Sequence, residues 1–404
     1  MDGFAGTAGE ERWCSDELQI QIDDVYACPG TCAGCALTID ERKVTRPDMA
    51  PETLALTFRR LREYVPTVAG VRRVNLTYAI ADHLTMPDEH LELLYREAAS
   101  FLSDLSLDGS SGVFFSTSLV GRPDRVLPRL EFLSSLGSDF SFLPVAVLDP
   151  AKLRDPRYGP DYAFLVAEAK RLFGAVDLTL NLSNDAVATF PPEEFHAYAV
   201  SSGFRDVTIN WTPNLENLSR TTGDVGALAD WLIRYDSAAS ASDGPESSFG
   251  PVARKALAFA ERARASGDDC GIAAAAAAVV PGTIGKSIEI DHLGSLLAKF
   301  EAVGDVPHAP RFGYPTLGSL RDGSIRELLD AGASRLVSSV ARTHASCSAC
   351  MSCEWAIACA ATGYHVYTAM LSGKRGRGAS KGSGCPHVAA TLFEAFSSGA
   401  GRSR

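Results

Sequence analysis

Three cysteines fall within eight residues near the N-terminus, in the run Cys28-Pro-Gly-Thr-Cys32-Ala-Gly-Cys35. Thiolates are soft ligands, suited to zinc or to iron–sulfur clusters. Three of them are one short of a closed tetrahedral site. A four-iron cluster held by three thiolates keeps one iron open to an outside ligand. Pro29 and Gly30 allow the tight loop that lets three sulfurs converge, and Gly34 allows close backbone approach. A second group, Cys347, Cys350, Cys353 and Cys359, is followed by Cys385-Pro386-His387. Five cysteines in so short a stretch call for a metal when the compartment is reducing. A structural zinc loop is the alternative for either group.

The elements that position these groups follow a strand-then-helix rhythm. Residues 1–15 read as a tail. The first strand, Leu18–Ala27, stops at Cys28. A helix at Pro51–Tyr64 repeats Leu54, Leu56, Phe58 and Leu61 at roughly helical spacing. Strands at Val71–Ile80, Gly112–Val120, Phe140–Leu148, Val176–Leu182 and Asp206–Trp211 alternate with helices at Glu89–Leu105, Asp124–Leu136, Tyr162–Phe173, Glu193–Ser201 and Val225–Tyr235. Six such units predict an α/β fold, a partial TIM-like barrel with helices outside and the loops after each strand on one rim. The barrel spans 16–236. Ser237–Gly250, rich in Ser, Ala, Asp, Gly and Pro, reads as a linker. A helix at Val252–Ser266 lies in a connector over 251–284. Lys286–Val303 reads as a hairpin turning near Gly294 and opens a second domain over 285–396; 397–404 is a tail.

Composition bounds the partners. The chain has 404 residues, 46% of them hydrophobic, enough for a large core. Its net charge of −11 repels phosphate backbones, so nucleic acid is not expected as a partner. The basic patch of Lys374, Arg375, Arg377 and Lys381 reads as a solvated loop. No apolar run is long enough for a membrane span; Ala273–Ala278 is short and is bounded by Pro281. The N-terminus carries Asp2, Glu10 and Glu11 and lacks the order of a secretory signal, so the expected location is the cytoplasm.

The spacing of Cys28, Cys32 and Cys35 after a first strand resembles that of the radical S-adenosylmethionine (AdoMet) superfamily. The resemblance implies that the open iron binds the amino and carboxylate groups of AdoMet. An electron from the cluster then yields a 5′-deoxyadenosyl radical, which removes a substrate hydrogen atom. It also implies a low-potential reductant such as flavodoxin or ferredoxin. The family's Gly-Gly-Glu stretch corresponds here to Ile80-Ala81-Asp82-His83-Leu84, so Asp82 falls where the glutamate stands, without the glycines. The aromatic residue often found before the third cysteine is replaced by Gly34. Polar residues at strand ends are the candidate AdoMet contacts: Ser116, Ser118, Asn181, Ser183, Asn184 and Asn210; loop capping is their plainer reading. His83 reads as an acid or base facing substrate, or as a structural histidine.

The run from Cys350 resembles the SPASM extension of the same superfamily, Cys-x2-Cys-x5-Cys-x3-Cys and then a distant Cys. Gly363 occupies the x3 position, and Lys286–Val303 lacks the upstream cysteine. The resemblance therefore implies one auxiliary four-iron cluster, held by Cys350, Cys353, Cys359 and Cys385, with Cys347 spare or alternative. Cys270, alone in Asp268-Asp269-Cys270-Gly271, reads as a small buried hydrophobe or as a hydrogen-atom donor of an epimerase.

The leading expectation is C–H tailoring of a peptide or other natural-product precursor. The second is a dehydrogenase or epimerase of a sugar or aminocyclitol, with Asp82, Asp185 and Asp206 lining an acidic cavity. The third is a non-catalytic zinc or iron–sulfur scaffold. Only 27 residues precede Cys28, too few for a peptide-binding winged helix.

Overall fold

The computed structural model describes residues 16–24, 28, 49–79, 82–107, 110–137, 141–156, 158–210, 225–242, 244–245, 249–265, 287–298, 316–345, 348–362 and 389–398. The sheet core is six parallel strands: β1 (Glu17–Asp23), β2 (Arg73–Tyr78), β3 (Gly112–Thr117), β4 (Ser141–Leu148), β5 (Asp177–Asn181) and β6 (Val207–Asn210). Their order in space is their order in sequence, as the alternating pattern predicts. Helices α1 (Pro51–Tyr64), α2 (Asp88–Asp104), α3 (Pro123–Leu136), α4 (Pro150–Arg154), α5 (Gly159–Phe173), α6 (Asn184–Thr189), α7 (Pro192–Ser202) and α8 (Val225–Ser240) form the connections. Of these, α4 and α6 are too short to show a period in the sequence.

The strands sort their side chains by face. In β1, Leu18, Ile20 and Ile22 are fully buried and share one face. They belong to one apolar cluster with Phe58 and Leu61 of α1, Phe101 of α2, Leu130 of α3, Leu165 of α5 and Phe195 of α7. Val74 and Leu76 of β2 lie in register with Leu18 and Ile20 and continue that face. The opposite face is largely polar. Gln21 is in register with Thr77, and Thr179 with Thr208. Parallel strands whose two faces are both covered read as continuous apolar runs. Here the alternation keeps one polar face inside an open sheet, which suits a chamber for polar ligands rather than a sealed core.

Beyond the six strands lies the hairpin: β7 (Ser287–Asp291) and β8 (Ser295–Ala298), turning at Gly294 with φ of 79°. The turn is where the sequence places it. Its partner is not legible in the sequence: β7 runs parallel beside β1, pairing Gln21 with Glu289 and Asp23 with Asp291, and β9 (Gly318–Ser319) completes the order β6-β5-β4-β3-β2-β1-β7-β8-β9. The hairpin thus extends the barrel sheet itself. Helix α9 (Phe249–Ala265) packs against α12 (Ala356–Thr362) and α13 (Ala389–Ser397). Helix α10 (Ile325–Ala345) reaches back to α1, β8 and β9, and the short α11 (Ser348–Met351) follows it.

Among the elements that differ from their sequence reading, three bear on the site and its neighbours. Strand β1 ends at Asp23, and residues 25–27 lie outside the described residues. Helix α8 runs through Ser240, into the segment whose composition reads as a linker. Ala238 and Ala239 are strong helix formers, Ala239 is buried, and the Ser237 hydroxyl donates back to the Ile233 carbonyl at 2.9 Å. Helix α10 has no counterpart in the reading above, yet its start carries a capping box: the Ser324 amide donates to Glu327 Oε2 at 2.8 Å, and the Glu327 amide to Ser324 Oγ at 3.3 Å.

Candidate functional site

The carboxyl ends of β1, β2 and β3 meet in a buried polar cluster built around Asp24. This residue directly follows β1 and has no solvent exposure. Its Oδ1 accepts from His83 Nε2 at 3.0 Å and its Oδ2 from His90 Nε2 at 2.9 Å. His83 lies past the end of β2 and is fully buried; His90 sits in the first turns of α2. His83 Nδ1 donates to the Ser116 carbonyl of β3 at 3.1 Å. Both nitrogens of the His83 ring therefore face oxygens that only accept, which requires a proton on each. The ring is an imidazolium paired with a carboxylate.

Burial alone pushes the His83 pKa down; the Asp24 charge and bond, the Ser116 carbonyl and the Asp82 charge more than offset it, and the value lies above its ordinary 6.5. Burial pushes the Asp24 carboxyl up, but the His83 charge and the bonds from His83 and His90 hold it below its ordinary 3.8. These directions fix the pH dependence. The stability from His83 is complete below 6.5 and is lost as pH rises through its raised folded value. The stability from Asp24 is complete above 3.8 and is lost as pH falls through its lowered folded value. Thermal unfolding midpoints are expected to fall on either side of that window, and His83→Gln to flatten the alkaline limb.

Asp82 stands beside this cluster, 3% exposed. Its Oδ1 accepts from the Thr117 hydroxyl at 2.9 Å and the Leu84 amide at 3.3 Å. Its Oδ2 accepts from the Ser118 amide at 3.2 Å and from the Ser118 hydroxyl. Four donors occupy the carboxylate, so Asp82 staples the end of β2 to the end of β3. Of the other sequence candidates, Ser116 supplies its carbonyl to His83, and Ser118 serves Asp82. Ser183 caps α6, its hydroxyl accepting from the Ala186 amide at 3.1 Å. Ser183→Ala is expected to cost about 1 kcal/mol of stability, seen as a lower urea midpoint at unchanged slope. Asn181 is buried at the end of β5, in register with Asn210 at the end of β6. Asp206 lies at the opposite, amino end of β6, where Val207 N–H bonds its Oδ1 at 2.8 Å. Burial and the nearby Asp177 push its pKa up. It is therefore separated by the length of the sheet from Asp82, and the two do not line one cavity.

Cys28 is partly buried, four residues past Asp24; Cys32 and Cys35 lie outside the described residues. In the second group, Cys350 and Cys353 bracket a turn closed by the Cys353 amide on the Cys350 carbonyl at 3.2 Å. Cys359 is buried in α12, and its amide bonds the Trp355 carbonyl at 2.8 Å. Just upstream, buried His344 is pushed down to about 4 by loss of solvent, so its ring is neutral. Cys270, Cys347 and Cys385 lie outside the described residues. Among the described residues no three His, Cys, Asp or Glu side chains converge as for a metal ion. None of the helices described is long and apolar enough to cross a membrane.

The sequence matches no family model and no curated protein. Solved structures do share the fold. Native anSMEcpe with bound AdoMet superposes with a TM-score of 0.53 at 12% identity, over 85% of this chain and 88% of that one. Native anSMEcpe with bound AdoMet and Cp18Cys peptide gives 0.51 at 12% identity over the same shares. At such identity the likeness shows the fold alone, a partial barrel of parallel strands shared with those structures.

Proposed function

We propose that this chain is a radical AdoMet enzyme that abstracts a hydrogen atom from a peptide or other natural-product precursor. The observation that carries the reading is the placement of Cys28 just past the first strand of a mostly parallel sheet, with Cys32 and Cys35 following in the sequence. Ligand sites of such sheets lie at the carboxyl ends of the strands. The shared fold with anSMEcpe, solved with AdoMet and with peptide, supports both the cofactor and the substrate class.

The donor set fits a four-iron cluster: thiols only, on a segment opening at the strand ends. Cys28, Cys32 and Cys35 would hold it, and when bound it supplies the electron that splits the AdoMet sulfonium. The chain's own share is placement and exclusion of water. The polar inner face, on which Gln21 and Thr77 stand in register, suits a polar ligand, while the apolar outer face packs the strands against the helices. Asn181 and Asn210 stand at the same rim as Cys28 and are proposed to meet AdoMet or substrate. Cys350, Cys353, Cys359 and Cys385 are proposed to hold one auxiliary cluster, with Cys347 as an alternative ligand. The Cys353 amide bonds the Cys350 carbonyl, so these two cysteines share one tight backbone turn, which is compatible with that role.

The test is anaerobic reconstitution with iron and sulfide, reduction with dithionite and assay for 5′-deoxyadenosine. Formation of 5′-deoxyadenosine is expected; its absence from well-loaded protein overturns the reading. Cys350→Ala is expected to halve the iron, from about eight to about four per chain, as two four-iron clusters become one.

A further inference from the structure

Asp24 is buried and charged at a place where an apolar residue would suffice if only packing mattered. Replacing buried ion pairs by apolar groups is often neutral or stabilising. The functional reading gives this pair no chemical task either. Its oxygens are taken up by His83 and His90, and His83 has no solvent exposure. What distinguishes Asp24 is its position in the chain. Its carbonyl accepts from the Met49 amide at 2.8 Å, and the residues between them carry Cys28, Cys32 and Cys35.

We infer that Asp24 is a positioning residue for the cysteine-bearing sequence: its side chain and carbonyl together hold Asp24 and Met49, the residues that flank 25–48, at the tips of the barrel. The side chain ties the outgoing end to β2 through His83, to α2 through His90 and, through the far side of the His83 ring, to β3 at Ser116. The carbonyl ties the returning end at Met49, just before α1. Holding Asp24 and Met49 together fixes the span that the sequence between them must bridge, which lowers the entropy cost of closing a loop there. The Arg129 guanidinium of α3 braces the loop that carries His83, donating to the Leu84 carbonyl at 3.2 Å. The inference rests on reading the three cysteines as cluster ligands.

The experiment compares Asp24→Ala and Asp24→Asn by two readouts: amide exchange of Met49 in metal-free protein, and iron per chain after reconstitution. Asp24→Ala is expected to speed Met49 exchange about tenfold relative to the core amide of Val113, and to lower iron uptake several-fold. Asp24→Asn is expected to restore both. Its Oδ1 accepts from His90, its amide donates to a His83 that has become neutral, and the pins survive without the charge. A core variant, Leu130→Ala in α3, lowers stability without touching these contacts and is expected to speed Val113 exchange at least as much as Met49 exchange, so that their ratio does not rise. The inference is overturned if Asp24→Ala does not raise the ratio of Met49 to Val113 exchange, or if Leu130→Ala raises it as strongly. If the unsubstituted protein takes up no iron, the cluster reading fails, and Met49 exchange in the metal-free protein still decides the role of Asp24.

Discussion

Cys28→Ala is expected to abolish 5′-deoxyadenosine formation while leaving the fold intact. The side chain is partly exposed beyond the end of β1, outside the apolar cluster of Leu18, Ile20 and Ile22, so its removal opens no cavity in the core. Loss of groups that merely orient a ligand costs about 10–100-fold. Loss of one of three thiolates should exceed that, because a cluster with two remaining protein ligands is not retained. Iron analysis, circular dichroism and product assay on one preparation check the claim. Full cleavage of AdoMet by Cys28→Ala would remove this residue from the site.

His83→Leu is expected to destabilise the protein by about 3–5 kcal/mol, the cost of removing one member of a buried ion pair, with only His90 left to bond the Asp24 carboxylate. The substitution conserves bulk but strips Asp24 of the imidazolium on Oδ1 and leaves the Ser116 carbonyl without its donor. Calorimetry at pH 6, inside the window where both members are charged, should show the largest loss. The deficit should shrink in acid, where the Asp24 carboxylate in the variant takes up a proton. A loss below about 1 kcal/mol, the range of exposed pairs, would mean that the pair is not the anchor described here.

The barrel was legible in the chain because each unit advertises itself locally. β1 reads Glu-Leu-Gln-Ile-Gln-Ile-Asp, with one apolar face, and helices such as α2 open on Pro87 with Asp88 and Glu89 in the first turn. The hairpin turn at Gly294 was legible for the same reason. Its docking on β1 was not, since Gln21 and Glu289 are far apart in sequence and nothing local couples them. For the proposed site, spacing in the sequence singles out the cysteines, and its place at the end of a strand singles out His83. Asp24 and His90 did not: an acid after a strand and a histidine in a helix are ordinary until the fold brings both to His83. Asp82 shows the converse. Its place in the sequence suited a cofactor contact, whereas its geometry gives it Thr117, Ser118 and Leu84 as partners.

The most direct test of the central claim is electron paramagnetic resonance of the reconstituted, dithionite-reduced protein with and without AdoMet. An iron of the Cys28 cluster that is open to AdoMet predicts a reduced-cluster signal whose shape and g values change on adding AdoMet, and which Cys28→Ala lacks. A signal indifferent to AdoMet, or protein that binds stoichiometric zinc through these thiols and carries no such signal, would contradict it.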